Sequence, residues 1–150
     1  MANTYSSLFY HIIFSTKRRK SHIFPDIENR VWNYVGGIAR HNGITPIRIG
    51  GIEDHLHTLL LSPPKYSVSQ IAKILKADSS KWMKDELKKR FFSWQDGYSA
   101  FSVSKRQVPK VKRYIENQRE HHMNMTFEEE YLELLRLHEV DIVDESYLYG

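Results

Sequence analysis

The runs "ITPIRIGGI" and "HLHTLLLS" are separated by Glu53 and Asp54 alone. A connection that short joins antiparallel strands, because a parallel return needs a crossover of about a dozen residues or more. The two runs therefore read as an antiparallel pair, and Pro63 and Pro64 end the second. Side chains alternate along a strand, so His55 and His57 share one face while Leu56 turns to the other. Two imidazoles side by side look like half of a metal site. The blander reading is a pair of satisfied polar or surface histidines.

The rest of the chain builds outward from this pair. "SLFYHIIFST" is rich in β-branched and aromatic residues and bounded by polar ones, so it reads as a buried strand. Between it and the pair, Asp26 is placed to cap a helix in which Ile27, Val31, Tyr34, Val35 and Ile38 recur at helical spacing, with Gly43 as the stop. After the pair, Ser67 or Ser69 opens a long helix predicted to reach about Arg90. Its apolar stripe is Ile71, Ile74, Leu75, Trp82 and Leu87, and its lysines mark exposed faces. Asp96-Gly97 makes a turn into a fourth strand in "WQDGYSAFSVS", and Pro109 suits the first turn of the helix "PKVKRYIENQREHH". Thr126 and Glu129 have capping-box spacing for a last helix with Phe127, Tyr131, Leu134 and Leu135 on its apolar side. The order β-α-β-β-α-β followed by two helices predicts an α+β fold. Its core is a ferredoxin-like antiparallel sheet with helices on one face. One domain spanning 1–150 is expected from the length.

Charge and composition narrow the chemistry. Residues 126–150 hold one arginine against eight acidic residues, a net −7, which leaves +11 on the other 125. A basic body with an acidic tail suggests a polyanionic partner, although a solvated lysine-rich surface is the alternative. There is no cysteine, so disulfides, thiolate metal sites and cysteine nucleophiles are excluded. The apolar stretch near the N-terminus precedes its basic cluster and is too short to span a bilayer, so no membrane association and a cytoplasmic location are expected.

A histidine pair alone is a weak signal, so other groups must converge on it. The helix from Pro109 offers Tyr114 and Gln118, four apart and stacked on one face, beside a stripe of Val111 and Ile115 that would pack on the sheet.

Four stretches, "EDHLHTLLLSPP", "ILKADSSKWMK", "WQDGYSAFSVS" and "YIENQREHH", occur in this order. Together they resemble the small single-tyrosine transposases of the insertion-sequence two-hundred/six-oh-five type, within the histidine-hydrophobic-histidine nucleases. The resemblance runs from about Tyr10 to the tail "ESYLYG". It implies that His55 and His57 are metal ligands, Gln118 a third ligand and Tyr114 the nucleophile, with no departure at these four positions. It also implies a divalent metal, magnesium or manganese; the donor types alone do not rule out zinc. The implied substrate is single-stranded DNA carrying a hairpin, cut to give a 5′-phosphotyrosine and a 3′ hydroxyl. The implied assembly is a homodimer with the active sites formed in trans, the joint "SVSKRQVP" letting the tyrosine helix reach the partner. His121 and His122 match the family pattern too, without a defined role.

Lys17, Arg18, Arg19, Lys76, Lys105, Arg106, Lys110 and Arg113 are the candidate phosphate contacts. Trp82, Trp94, Tyr98 and Phe101 are candidates for base stacking or for the core. Two other functions stand beside strand transfer. One is a domesticated or regulatory hairpin-DNA-binding protein of the same fold. The other is an unrelated metal-dependent phosphoesterase, disfavoured because Glu53 and Asp54 are the only acids near the pair in sequence.

Overall fold

The structure, a computed structural model, describes residues 3–123 and 125–137. Four strands, β1 (Leu8–Ser15), β2 (Thr45–Ile52), β3 (His55–Ser62) and β4 (Ser99–Val103), form one sheet in the order β2-β3-β1-β4. Every neighbouring pair is antiparallel. The helices are α1 (Glu28–His41), α2 (Val68–Asp85), α3 (Val108–Glu116), α4 (Gln118–His121) and α5 (Phe127–Leu137). This is the expected α+β, ferredoxin-like arrangement, and the chain continues past it into three short helices.

The alternation read from the sequence decides which helix meets which face. Ile12 and Phe14 of β1 and Leu56 and Leu60 of β3 point to one side, where they pack against Val31, Val35 and Ile38 of α1 and Ile71, Leu75 and Met83 of α2. On the other side Ile13 and Phe101 meet Tyr131 and Leu135 of α5. There too Leu59 and Val103 meet Ile115 of α3. The central strands β1 and β3 are thus covered twice, which explains the nearly unbroken apolar run of β3. Among the described residues no helix is long and apolar enough to cross a membrane.

Three element boundaries differ from expectation. Asp26 does not cap α1; the amides of Ile27 and Glu28 both donate to the carbonyl of Phe24, so a backbone turn starts the helix. Gly43, at φ 75°, ends it as expected. Ser67 caps α2 in a reciprocal pair with Gln70, yet α2 stops at Asp85 and not near Arg90. There Lys88 turns left-handed (φ 57°) and Lys89 donates to the Met83 carbonyl, a helix-ending bond that redirects the chain so that Phe92 and Trp94 enter the core. The helix from Pro109 is broken at Asn117 into α3 and α4. The Thr126 cap forms, its hydroxyl accepting the Glu129 amide at 3.2 Å.

Candidate metal and nucleophile site

The β2-β3 hairpin fixes the histidines. His55 pairs with Ile52 and Ser15, and His57 with Gly50 and Ile13, so both rings emerge from the hairpin end of a central strand on the face opposite α1 and α2. Gly50 has a specific part in this. A Cβ there would lie 3.0 Å from the Ile115 carbonyl oxygen and 3.1 Å from its Cγ2, so glycine lets α3 lie directly on β2. That approach, with Val108, Val111 and Ile115 packed against Leu59 and Val103, carries Tyr114 over the histidines. The Tyr114 ring centre stands 5.7 Å from that of His57. After the break at Asn117, Gln118 begins α4 and faces His55. Arg119 clips α4 down through ion pairs to Glu28 at 2.6 Å and Glu53 at 2.8 Å.

The sequence-predicted residues therefore come together in one chain. His55, His57 and Gln118 are buried, and Tyr114 is half-buried beside them. His55 Nδ1 donates to the Asp54 carboxylate at 2.8 Å, while its Nε2 faces Gln118 Oε1 at 3.0 Å. His57 is paired through Nδ1 with His11 Nε2 at 2.8 Å and through Nε2 with Glu130 Oε1 at 3.1 Å. The other oxygen of Glu130 accepts from the Tyr114 hydroxyl and from Gln118 Nε2, the latter at 3.3 Å.

Burial and the Glu130 charge act in opposite directions on the imidazoles of the cluster. Burial draws the His57 imidazole down to about 4, outweighing the hydrogen bond and charge of Glu130 that would raise it, so the ring is neutral at physiological pH. Burial would raise the Glu130 carboxyl, but hydrogen bonds from His122, His57 and Tyr114 hold it well below the ordinary carboxylate range. Asp54 is likewise held low: burial opposes its ionisation, and the hydrogen bond and charge of His55, with Arg19 and His122 nearby, prevail. For His122 burial lowers the ring, and the hydrogen bond and charge of Glu130 more than reverse it.

The donor set fits a cation. His55 is bonded through Nδ1 to Asp54 and through Nε2 to the carbonyl oxygen of Gln118. The amide nitrogen of Gln118 faces two acceptors, Glu130 Oε2 and the Tyr114 carbonyl at 3.4 Å, which sets the amide oxygen toward His55. Imidazole nitrogen, amide oxygen and carboxylate oxygen are all donors that divalent cations take. Among the described residues, His55, His122 and Glu130 bring three ligand atoms within 4.8 Å of one another. A cleft of about 490 Å³ lined by Arg19, Asp54, His122 and Thr126 borders the cluster.

Two members escaped sequence reasoning. Glu130 entered the sequence reading only as one of the acids of the tail. His11 is a lone imidazole inside a strand otherwise read as apolar core.

The chain compares as follows with known proteins. The family described as "Transposase IS200 like" matches residues 4–118, which span the hairpin, Tyr114 and Gln118. The chain belongs to this IS200-like transposase family. The ISDra2 transposase TnpA of Deinococcus radiodurans is 27% identical over 117 residues, covering 74% of this chain and 84% of that relative. The transposase for insertion sequence element IS200 of Salmonella typhimurium is 29% identical over 126 residues, covering 80% and 82%. A crystal structure from Deinococcus radiodurans R1, assigned as a transposase, superposes with a TM-score of 0.63 at 26% identity, covering 79% of this chain and 95% of that one. A REP-associated tyrosine transposase bound to a REP hairpin gives 0.59 over 81% and 73% of the two chains, and at 12% identity speaks to the fold alone.

The remaining candidates divide by surroundings. Lys17, Arg18, Lys105, Arg106, Lys110 and Arg113 are exposed. Arg19 is ion-paired with Glu128 at 2.6 Å. The Lys76 ammonium donates to the carbonyls of Gln95, Asp96 and Gly97 at 2.9, 3.2 and 2.6 Å. Burial, only partly offset by Asp96, draws it down to about 8. Trp94 and Phe101 are core residues, and Trp82 stacks on Tyr34. The side chain of His121 and the tail "ESYLYG" lie outside the described residues.

Proposed function

We propose that the protein is a single-stranded DNA transposase that cuts and rejoins strands through a tyrosine-linked intermediate. The observation that carries this reading is the convergence of the Tyr114 hydroxyl, His55, His57 and Gln118 on one buried cluster in a member of the IS200-like transposase family. His55, His57 and Gln118 would hold a divalent ion, magnesium or manganese. When bound, it would neutralise charge on a non-bridging phosphate oxygen, where repulsion otherwise keeps nucleophiles away.

Tyr114 supplies the attacking oxygen. The bond from phosphorus to the 3′ oxygen of the preceding nucleotide breaks, a 5′-phosphotyrosine forms, and the departing oxygen takes up a proton as a 3′ hydroxyl. The ester retains the energy of the broken bond, so joining to another strand end needs no ATP. Asp54 and His11 orient the imidazoles through Nδ1 of His55 and His57, and Gly50 and Arg119 hold the two helices that bear the tyrosine and the glutamine.

The substrate is read as single-stranded DNA with a hairpin; a relative that shares this fold is bound to a REP hairpin. Lys17, Arg18, Lys105, Arg106, Lys110 and Arg113 would meet phosphates, whereas Arg19 and Lys76 would first have to leave Glu128 and the three carbonyls. A homodimer with Tyr114 delivered in trans is part of the proposal. In the single chain, Tyr114 and Gln118 complete the site in cis, and exchange would turn about the short helical segment Lys105–Gln107.

The test is a denaturing gel of the protein incubated with single-stranded DNA from either flank of its own gene. Wild type should give a protein-DNA adduct that chelator abolishes. Tyr114→Phe should bind the DNA and give none, because it keeps the ring and removes the oxygen. An undiminished adduct in Tyr114→Phe would remove this residue from the mechanism.

A further inference from the structure

Two residues outside the sequence-predicted ligand set, His122 and Glu130, lie among its donor atoms. Glu130 Oε1 lies 3.1 Å from His57 Nε2, 3.3 Å from His122 Nε2 and 3.8 Å from His55 Nε2. Donors that share one ion at about 2.1 Å stand roughly 3 to 3.4 Å apart, so these spacings are close to those around a coordinated cation. The His55 and His122 rings are 4.7 Å apart at their centres, with Nε2 of each turned to the same carboxylate. Glu130 is buried to 1% exposure. A carboxylate at such a position is retained when it is paired or bound to a metal.

We propose that in the DNA-free protein His122 and Glu130 are further ligands of the metal that His55, His57 and Gln118 would hold. This rests on the reading that the histidine pair holds the metal. Two consequences follow. Three imidazoles suit manganese or zinc better than magnesium, which prefers oxygen donors. The metal also clamps α4 and α5 onto the sheet, because His122 follows α4 directly and Glu130 lies in the first turn of α5.

Titration of the full chain with Mn²⁺, followed by loss of the free-ion electron paramagnetic resonance signal, tests the assignment without any cleavage reaction. Glu130→Gln and His122→Gln should each weaken binding by at least about tenfold, since even groups that only support ligands have effects of that size. Glu120→Gln, at an exposed site on α4, should bind as wild type does. Pulsed measurements should count three coupled imidazole nitrogens in wild type and two in His122→Gln. If Glu130→Gln fails to fold, the wild-type nitrogen count and the protection of 127–137 from hydrogen exchange by Mn²⁺ still decide. Two nitrogens and no protection would overturn the proposal. Unchanged or tighter binding in both Gln variants, with binding lost in the His55→Ala/His57→Ala protein, would overturn it and leave the histidine pair intact. Wild-type affinity in that double variant would overturn this proposal and the pair's metal role together.

Discussion

His57 is held neutral inside the fold, and acid exposes the consequence. Its folded value of about 4 lies below the 6.5 of a free imidazole, so the unfolded chain takes up a proton first. The contribution of His57 to stability is therefore complete above pH 6.5 and is lost as pH falls through about 4, to a limit of about 3 kcal/mol. Glu130, whose folded carboxyl is also held low, adds to the loss at still lower pH. Denaturant melts in chelator should show stability falling from pH 6.5 to 4, and His57→Gln should flatten that slope. A slope unchanged by the substitution would contradict the buried neutral ring. At this scale the sequence was partly legible. Two histidines at strand period, and a tyrosine and glutamine at helix period, each announce a shared face. Glu130 and His11 do not, because an acid within "FEEEYLELL" and an imidazole within "YHIIF" reveal their burial only once the elements pack.

Gly50 is the element-scale counterpart, since it sets how closely α3 approaches β2. Gly50→Ala would force its Cβ to 3.0 Å from the Ile115 carbonyl, and helix backbone cannot yield as a side-chain tip can. A loss of about 1 to 3 kcal/mol is expected in thermal or denaturant melts, together with slower adduct formation under conditions where the variant is fully folded. Full cleavage rate with normal stability would show that the approach does not matter. Arg119→Ala should lower stability by no more than about 1 kcal/mol, because its ion pairs are partly exposed. It should nonetheless reduce adduct yield by loosening α4 beneath Gln118; unchanged yield would assign the clip no part in positioning. The order of strands and helices was readable from periodicity and from the two-residue hairpin gap. The end of α2 was not: Leu87 and the flanking lysines continue the helical period, while the left-handed Lys88 answers to the tertiary demand of burying Phe92 and Trp94. The start of α1 failed similarly, a backbone carbonyl taking the role that Asp26 could have filled.

At the scale of the whole molecule, charge and assembly make separate predictions. The +11 body should make DNA binding weaken steeply with salt as counterions are released. A hairpin in one strand should bind more tightly than the same sequence as duplex, and equal affinity at near-physiological salt would count against the proposed substrate. Mixing Tyr114→Phe with the His55→Ala/His57→Ala protein separates the two assemblies. Trans sites restore an adduct, on the subunit whose histidines are replaced, and cis sites leave the mixture inactive once subunit exchange is verified. The most direct measurement of the central claim is a peptide map of the adduct. After reaction with flank-derived single-stranded DNA and divalent metal, protease and nuclease digestion followed by mass spectrometry should find a 5′-phosphonucleotide on the peptide carrying Tyr114. Attachment at any other residue, or cleavage with no covalent species, would contradict a tyrosine-linked strand transfer at this site.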